Sequence, residues 1–149
     1  MNKPFKMNKY ALLTIGCLFS VLAFIRPAQA QGISFESSNW QSILNKAKSE
    51  KKLVFLDAYT SWCGPCKAMQ ARVFPDKKLG EFFNAQFVNA KIDMEAGEGP
   101  KLAAKYPIQG YPTLLFIDPV SGRVVESVLG YRSADQLLKL GEQITSRSK

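Results

Sequence analysis

Histidine is absent from the 149 residues, and cysteine occurs only three times. A structural zinc site draws four ligands mainly from those two residue types, so a zinc site within one molecule of this chain is not expected. Long apolar runs are also missing. A membrane-spanning helix needs about 20 apolar residues, whereas the run from Ala11 to Ile25 has 15 before Arg26 interrupts it. No basic patch interleaved with aromatics is present, so nucleic-acid binding is not indicated. Nor is there an internal repeat or a low-complexity linker.

What is present begins with an export pattern. Lys3, Lys6 and Lys9 precede the uncharged run, and Ala28-Gln29-Ala30 follows it as a small-x-small cleavage site, the layout of a secretory signal peptide. The expectation is a signal over residues 1–30, cleaved after Ala30, with an uncleaved membrane anchor as the competing reading. Cys17 lies inside the apolar run and reads as filler in a discarded segment. Residues 31–149 then form one domain of 119 residues, a size that suits a single core. Removing Lys3, Lys6, Lys9 and Arg26 leaves 16 basic and 12 acidic residues, a net charge of +4 rather than the +8 of the full chain. The surface reads as mildly basic and solvated, the location as periplasmic or otherwise exported, and the assembly as a monomer.

Two cysteines remain after cleavage, both in S-W-C-G-P-C-K (Ser61 to Lys67). Disulfides persist outside the cytosol, but a bridge over three residues closes a loop too small to gain much chain entropy. Stapling is therefore a poor explanation, while a redox pair and a copper(I) site stay open. A cysteine just before a helix sits near unpaired N–H groups and the positive end of the dipole, which favour thiolate. Thiolate is about 3% of a cysteine of pKa 8.5 at pH 7, and about half if the pKa falls to 7. Cys63 is expected as the exposed nucleophile and Cys66, one turn on, as the resolving thiol beneath it. Gly64 would let a partner chain approach, and Pro65 suits the first helical turn.

The flanking pattern alternates strand and helix. Ser38-Asn39-Trp40-Gln41 reads as a capping box opening a helix with Trp40, Ile43, Leu44 and Ala47 on its apolar side. Leu53 to Ala58 is an apolar run expected to be a buried central strand. After the cysteine motif comes a helical stretch, K-A-M-Q-A-R-V-F, and after Pro75 a second helix capped by Asp76. Strands are expected over Phe87 to Ile92, Thr113 to Ile117 and Val124 to Leu129. A D-P-V-S-G turn joins the last two, and Ser133 caps a closing helix with Leu137, Leu138 and Ile144 inward. The sum is one α/β domain, a mixed sheet with helices on both faces.

W-C-G-P-C-K after a strand resembles the thioredoxin active site. So do Asp57, six residues before Cys63, the G-Y-P-T run at Gly110 to Thr113, and Gly130 after the last hairpin strand. The exported flavour, with F-P-D and the acidic E-A-G-E-G loop, is similar to the C-terminal domain of the electron transporter DsbD. The resemblance implies a thioredoxin fold and a Cys63–Cys66 redox disulfide without cofactor or metal. It implies Asp57 buried, with a raised pKa, as proton acceptor for Cys66. It also implies a cis-Pro112 beside Tyr111 where a substrate strand docks, and Trp62 as an exposed rim. Gly-Pro between the cysteines, with no histidine, points to a reductant of disulfides in other proteins, recharged by a membrane donor of the DsbD type. An oxidase or isomerase on the same fold is the alternative. Thioredoxins pair the buried aspartate with a lysine; matching on Ile92-Asp93 places Asn89 there, with Lys91 as the possible substitute on the same face.

Overall fold

The computed structural model describes residues 32–147; the expected export signal, its cleavage site and Cys17 lie outside the described residues. In chain order the elements are α1 (Trp40–Glu50), β1 (Leu53–Tyr59), α2 (Gly64–Arg72), α3 (Lys77–Gln86), β2 (Phe87–Asp93), α4 (Gly99–Lys105), β3 (Thr113–Ile117), β4 (Val124–Leu129) and α5 (Ala134–Arg147). The four strands form one sheet in the order β2-β1-β3-β4. β1 runs parallel to β2 and antiparallel to β3, and β4 returns antiparallel beside β3. This is the thioredoxin fold, of the α/β class.

The two faces of the sheet follow from strand alternation. Val54, Leu56 and Ala58 of β1 point into one layer, packed with Ile43, Leu44 and Ala47 of α1 and with Leu102 of α4. Phe55 points into the other, with Met69 of α2, Leu79 and Phe83 of α3, and Leu137 and Ile144 of α5. Successive side chains in a strand alternate between faces, so Asp57 shares the Phe55 side, toward α2. Helices pack on both faces of β1, which explains why its apolar run is continuous rather than alternating.

Helix ends are capped much as their sequences dictate. Asp76 Oδ1 accepts the Leu79 N–H at 2.8 Å. Ser133 Oγ accepts the Gln136 N–H at 3.3 Å while Gln136 Oε1 accepts the Ser133 N–H at 3.0 Å, a reciprocal capping box. At α1 the cap is Asn39, not Ser38: its Oδ1 accepts the Ser42 N–H at 2.9 Å, and Gln41 instead donates to Asn45 at 3.0 Å. Asparagine caps about as well as serine, so two adjacent candidates competed and the chain starts its helix one residue later. The β3–β4 turn closes with Gly122 at φ +70°, in the region expected for glycine.

Residues 32–36 form a strap that the alternation of strands and helices did not foretell. The Ile33 N–H donates to Phe74 O at 2.7 Å and the Glu36 N–H to Asn89 O at 2.8 Å, and Glu36 makes an isolated parallel bridge with Ala90. Ile33 and Phe35 thereby join the α2/α3/α5 core. Among the described residues no helix is long and apolar enough to cross a membrane.

The Asp76 cap yields a stability prediction. Asp76→Ala should lower the unfolding free energy by about 1 kcal/mol in urea titration, with the slope unchanged. An unchanged midpoint would show that the cap contributes nothing.

Candidate active site

β1 ends at Tyr59 and α2 begins at Gly64, leaving a tight connection that carries the cysteines. The Cys63 N–H donates to Thr60 O at 3.2 Å, which fixes Cys63 as the N-cap of α2. Its Sγ accepts the Cys66 N–H at 3.1 Å, so the sulfur occupies the place that a serine or aspartate oxygen takes at other helix starts. There the unpaired amides and the dipole favour negative charge. The two sulfurs are bonded, with S–S 2.02 Å.

Cys66 is fully buried and Cys63 only 3% exposed. Cys63 is the less buried of the two by a narrow margin, and the exposed position expected for it from the sequence is not found in the disulfide state. Its sulfur turns inward over the first helical turn to meet Cys66, which hides it. Gly64 and Pro65 at the start of α2 are exposed. A Cβ built on Gly64 meets nothing within 4 Å, so the surface beside the disulfide is open.

The Tyr111–Pro112 peptide is cis, as the resemblance implied. Pro112 O accepts the Gly130 N–H at 2.8 Å, and Thr113 Oγ1 donates to Gly110 O at 2.6 Å, holding this segment from both sides. Trp62 is 64% exposed and lies outside the core. Its ring stands edge-on to Tyr111 at 5.9 Å and 83°, so the residue before Cys63 touches the residue before Pro112. Neither Tyr111 N–H nor Tyr111 C=O has a hydrogen-bond partner among the described residues.

Asp57 is 1% exposed, and neither of its oxygens has a hydrogen-bond partner. Burial pushes its carboxyl from the ordinary 3.8 up to about 7, against a smaller opposing pull from Lys91. Lys91, the substitute named from the sequence, is the residue that stands across from Asp57. Asn89 stands opposite Phe55, whereas Lys91 stands directly opposite Asp57 in the β1–β2 register. Asn89 serves the strap instead, donating to Ser34 O at 3.3 Å and Asn84 Oδ1 at 3.0 Å. The Lys91 Nζ lies over the rings of Phe35 at 5.8 Å and Tyr59 at 5.6 Å, and it forms no ion pair with Asp57 among the described residues. Register between distant strands has no local signal, which is why a short match left both Asn89 and Lys91 standing. Phe35 escaped notice for the same reason.

Glu95 was also missed as an individual residue, although its loop was noted as acidic. Its Oε2 accepts the Trp62 Nε1–H at 2.9 Å. An exposed tryptophan beside the motif has one donor to satisfy, and that was the available hint.

Comparisons with known proteins agree with this geometry. The family profile described as Thioredoxin matches residues 31–143. Thioredoxin H4 of Arabidopsis thaliana is 33% identical over 101 residues, covering 68% of this chain and 79% of that protein. Protein disulfide-isomerase 1 of Dictyostelium discoideum is 31% identical over 123 residues, covering 78% of this chain but only 31% of that protein. The chain thus spans about a third of that longer relative. Among solved structures, a candidate disulphide-isomerase from Bacteroides thetaiotaomicron is 46% identical with a TM-score of 0.68, covering 79% of this chain and 97% of the other. The oxidised C-terminal domain of DsbD from Neisseria meningitidis is 25% identical with a TM-score of 0.57, over 68% and 89% of the two chains. With the profile spanning most of the chain and the cysteine pair capping its helix, this protein belongs to the thioredoxin family, with the thiol–disulfide oxidoreductase pair of that family at Cys63 and Cys66.

Proposed function

We propose that the chain is an exported reductant of disulfides in other proteins. The observation that carries the reading is the Cys63 sulfur at the N-cap of α2, accepting the Cys66 N–H, where a thiolate gains from amides and dipole at once. In the reduced form the Cys63 thiolate attacks a target disulfide, a mixed disulfide forms, and one target thiolate leaves. Cys66, deprotonated, then attacks the Cys63 sulfur. The second target thiolate leaves, and the enzyme holds the Cys63–Cys66 disulfide, having passed two electrons to the target. The Cys66 proton goes to Asp57, directly or through a water, since a carboxyl that titrates near 7 accepts and returns protons at neutral pH. Tyr111, with its unpaired backbone groups beside cis-Pro112, offers main-chain hydrogen bonds to an extended substrate segment. Gly64 and Pro65 leave space for it, and Trp62 forms the rim.

Reduction outside the cytosol requires a two-electron donor to reopen the disulfide, and a membrane transporter of the DsbD type fits that role. The signal-like residues 1–30 support export, and the domain acts as a monomer in this reading. An isomerase is the second reading, favoured by the 46% identity to the Bacteroides candidate disulphide-isomerase. It uses the same attack by Cys63 but lets the target rearrange before Cys66 closes.

Cys66→Ser should accumulate mixed disulfides through Cys63, seen as thiol-sensitive adducts on non-reducing gels. In glutathione buffers the pair should have a midpoint near that of thioredoxin, about −270 mV, whereas a value near about −120 mV belongs to a strong oxidant and ends the reductase proposal. A value near about −180 mV would favour the isomerase. Amino-terminal sequencing of protein recovered outside the cytosol should begin at Gln31, and an intact Met1 there would overturn the cleaved-signal proposal.

Asp57 sets a pH dependence. Its folded pKa lies above its unfolded value, so the folded state binds more protons between about pH 4 and 7. Stability therefore falls as pH rises through that window and levels off above it. A shift from 3.8 to about 7 corresponds to roughly 4 kcal/mol at the plateau. Asp57→Ala in the oxidised protein should abolish most of this decline, leaving a variant more stable than wild type at pH 8. Equal pH profiles by chemical denaturation would contradict the buried-acid assignment.

A further inference from the structure

Trp62 is the most exposed aromatic ring beside the disulfide, yet it is not loose. Its Nε1–H donates to Glu95 Oε2 at 2.9 Å, and its ring stands perpendicular to that of Tyr111. Glu95 comes from the loop between β2 and α4, far in sequence from both. That loop is itself anchored. Asp93 Oδ1 accepts the Glu95 N–H at 3.0 Å, and Glu98 Oε2 reaches α1 by accepting the Trp40 N–H at 2.8 Å. A Cβ on Gly99 would stand 1.9 Å from Asp93 O, so the loop packs against the end of β2 with no slack. Among the described residues Glu95 forms no ion pair, and the indole is the only side chain with which it shares a hydrogen bond.

A carboxylate that ignores the basic residues of a basic chain and instead holds one indole has an orienting role. A free exposed tryptophan samples several rotamers, and ordering it on binding costs side-chain entropy. With Glu95 on its nitrogen and Tyr111 at its ring, that ordering precedes binding. We propose that Glu95 is a positioning residue for substrate recognition: it holds Trp62 against Tyr111 so that the rim is preformed for the segment flanking a protein disulfide. The inference rests on the proposed disulfide-reductase reading and adds to it a determinant of preference for protein over small disulfides. A small disulfide reaches Cys63 without spanning the rim.

Reduction of insulin and of hydroxyethyl disulfide, with dithiothreitol recycling the pair, tests this. Glu95→Ala should raise KM for insulin about fivefold with kcat little changed, the size of one lost hydrogen bond, and leave kinetics on hydroxyethyl disulfide as in wild type. Glu95→Gln keeps an acceptor oxygen and should restore the wild-type KM. An unchanged insulin KM in Glu95→Ala overturns the inference. So does failure of Glu95→Gln to rescue, which would assign the effect to charge, and so does an equal loss on both substrates. In a Trp40→Phe background, leaving Trp62 as the single reporter among the described residues, Glu95→Ala should lower the fluorescence anisotropy of the indole; no change means there is no latch. That readout needs no activity. Wild-type protein that reduces neither substrate would sink the reductase reading, while anisotropy would still decide whether Glu95 holds Trp62.

Discussion

The structure depends on β1 being buried on both faces. Val54, Phe55 and Leu56 have no exposed surface at all, because β2 and β3 flank the strand and helices cover each side. Alternation then leaves Asp57 no choice of side, and it must enter the α2-facing interior. An unpaired carboxylate there costs several kcal/mol when charged. The protein meets that cost by letting the group stay protonated until about pH 7, not by pairing it. Lys91 stands across from it in register, but its ammonium lies over two aromatic rings and lowers the pKa less than burial raises it. The same strand end supplies the Thr60 carbonyl that seats Cys63. One buried strand therefore fixes both the acid and the thiol at the helix start.

Sheet topology gathers the rest. β1 and β2 are parallel, so their carboxyl ends share one edge; β3 is antiparallel, so its amino end lies there too. The three loops at that edge carry Trp62 and the cysteines, Glu95, and Tyr111 with cis-Pro112. Open α/β sheets place their chemistry at the carboxyl ends of parallel strands, and here the antiparallel neighbour brings its first residues to the same rim. The contacts from Glu95 to Trp62 and from Trp62 to Tyr111 are the physical stitching between these three loops.

The parts of this arrangement that were legible in the sequence are those with local causes. β3 and β4 run over the expected residues because an apolar stretch, a five-residue turn and a positive-φ glycine all agree. Asp76 and Ser133 cap where a short polar side chain precedes a helical pattern. Trp62, Pro112 and the cysteines were readable through resemblance. What escaped has non-local causes. The α1 cap moved from Ser38 to Asn39 because neighbouring residues of equal capping strength are not separable by pattern. The choice of Lys91 over Asn89 opposite Asp57, left open by the sequence, rests on a register between strands separated by two helices. The strap is held by backbone bonds to Phe74 and Asn89, partners that no window of sequence around Ile33 contains.

The strap also alters how the buried acid is understood. Lys91 cannot be judged by its distance along β2 alone, since Phe35 supplies one of the two rings beneath its ammonium. A cation over aromatic faces gains about 0.5–2 kcal/mol, comparable to what a half-buried ion pair offers once desolvation is subtracted. The two interactions compete for one ammonium, and the rings hold it in the oxidised state. Asp57 is consequently left with the protonation equilibrium of an almost isolated carboxyl. That is the condition under which it exchanges a proton near neutrality, as the resolving step at Cys66 requires. A tight Asp57–Lys91 pair would keep the carboxylate charged at pH 7 and make it a weaker proton acceptor. The aromatic clamp on Lys91 and the orphaned acid are therefore two sides of one arrangement.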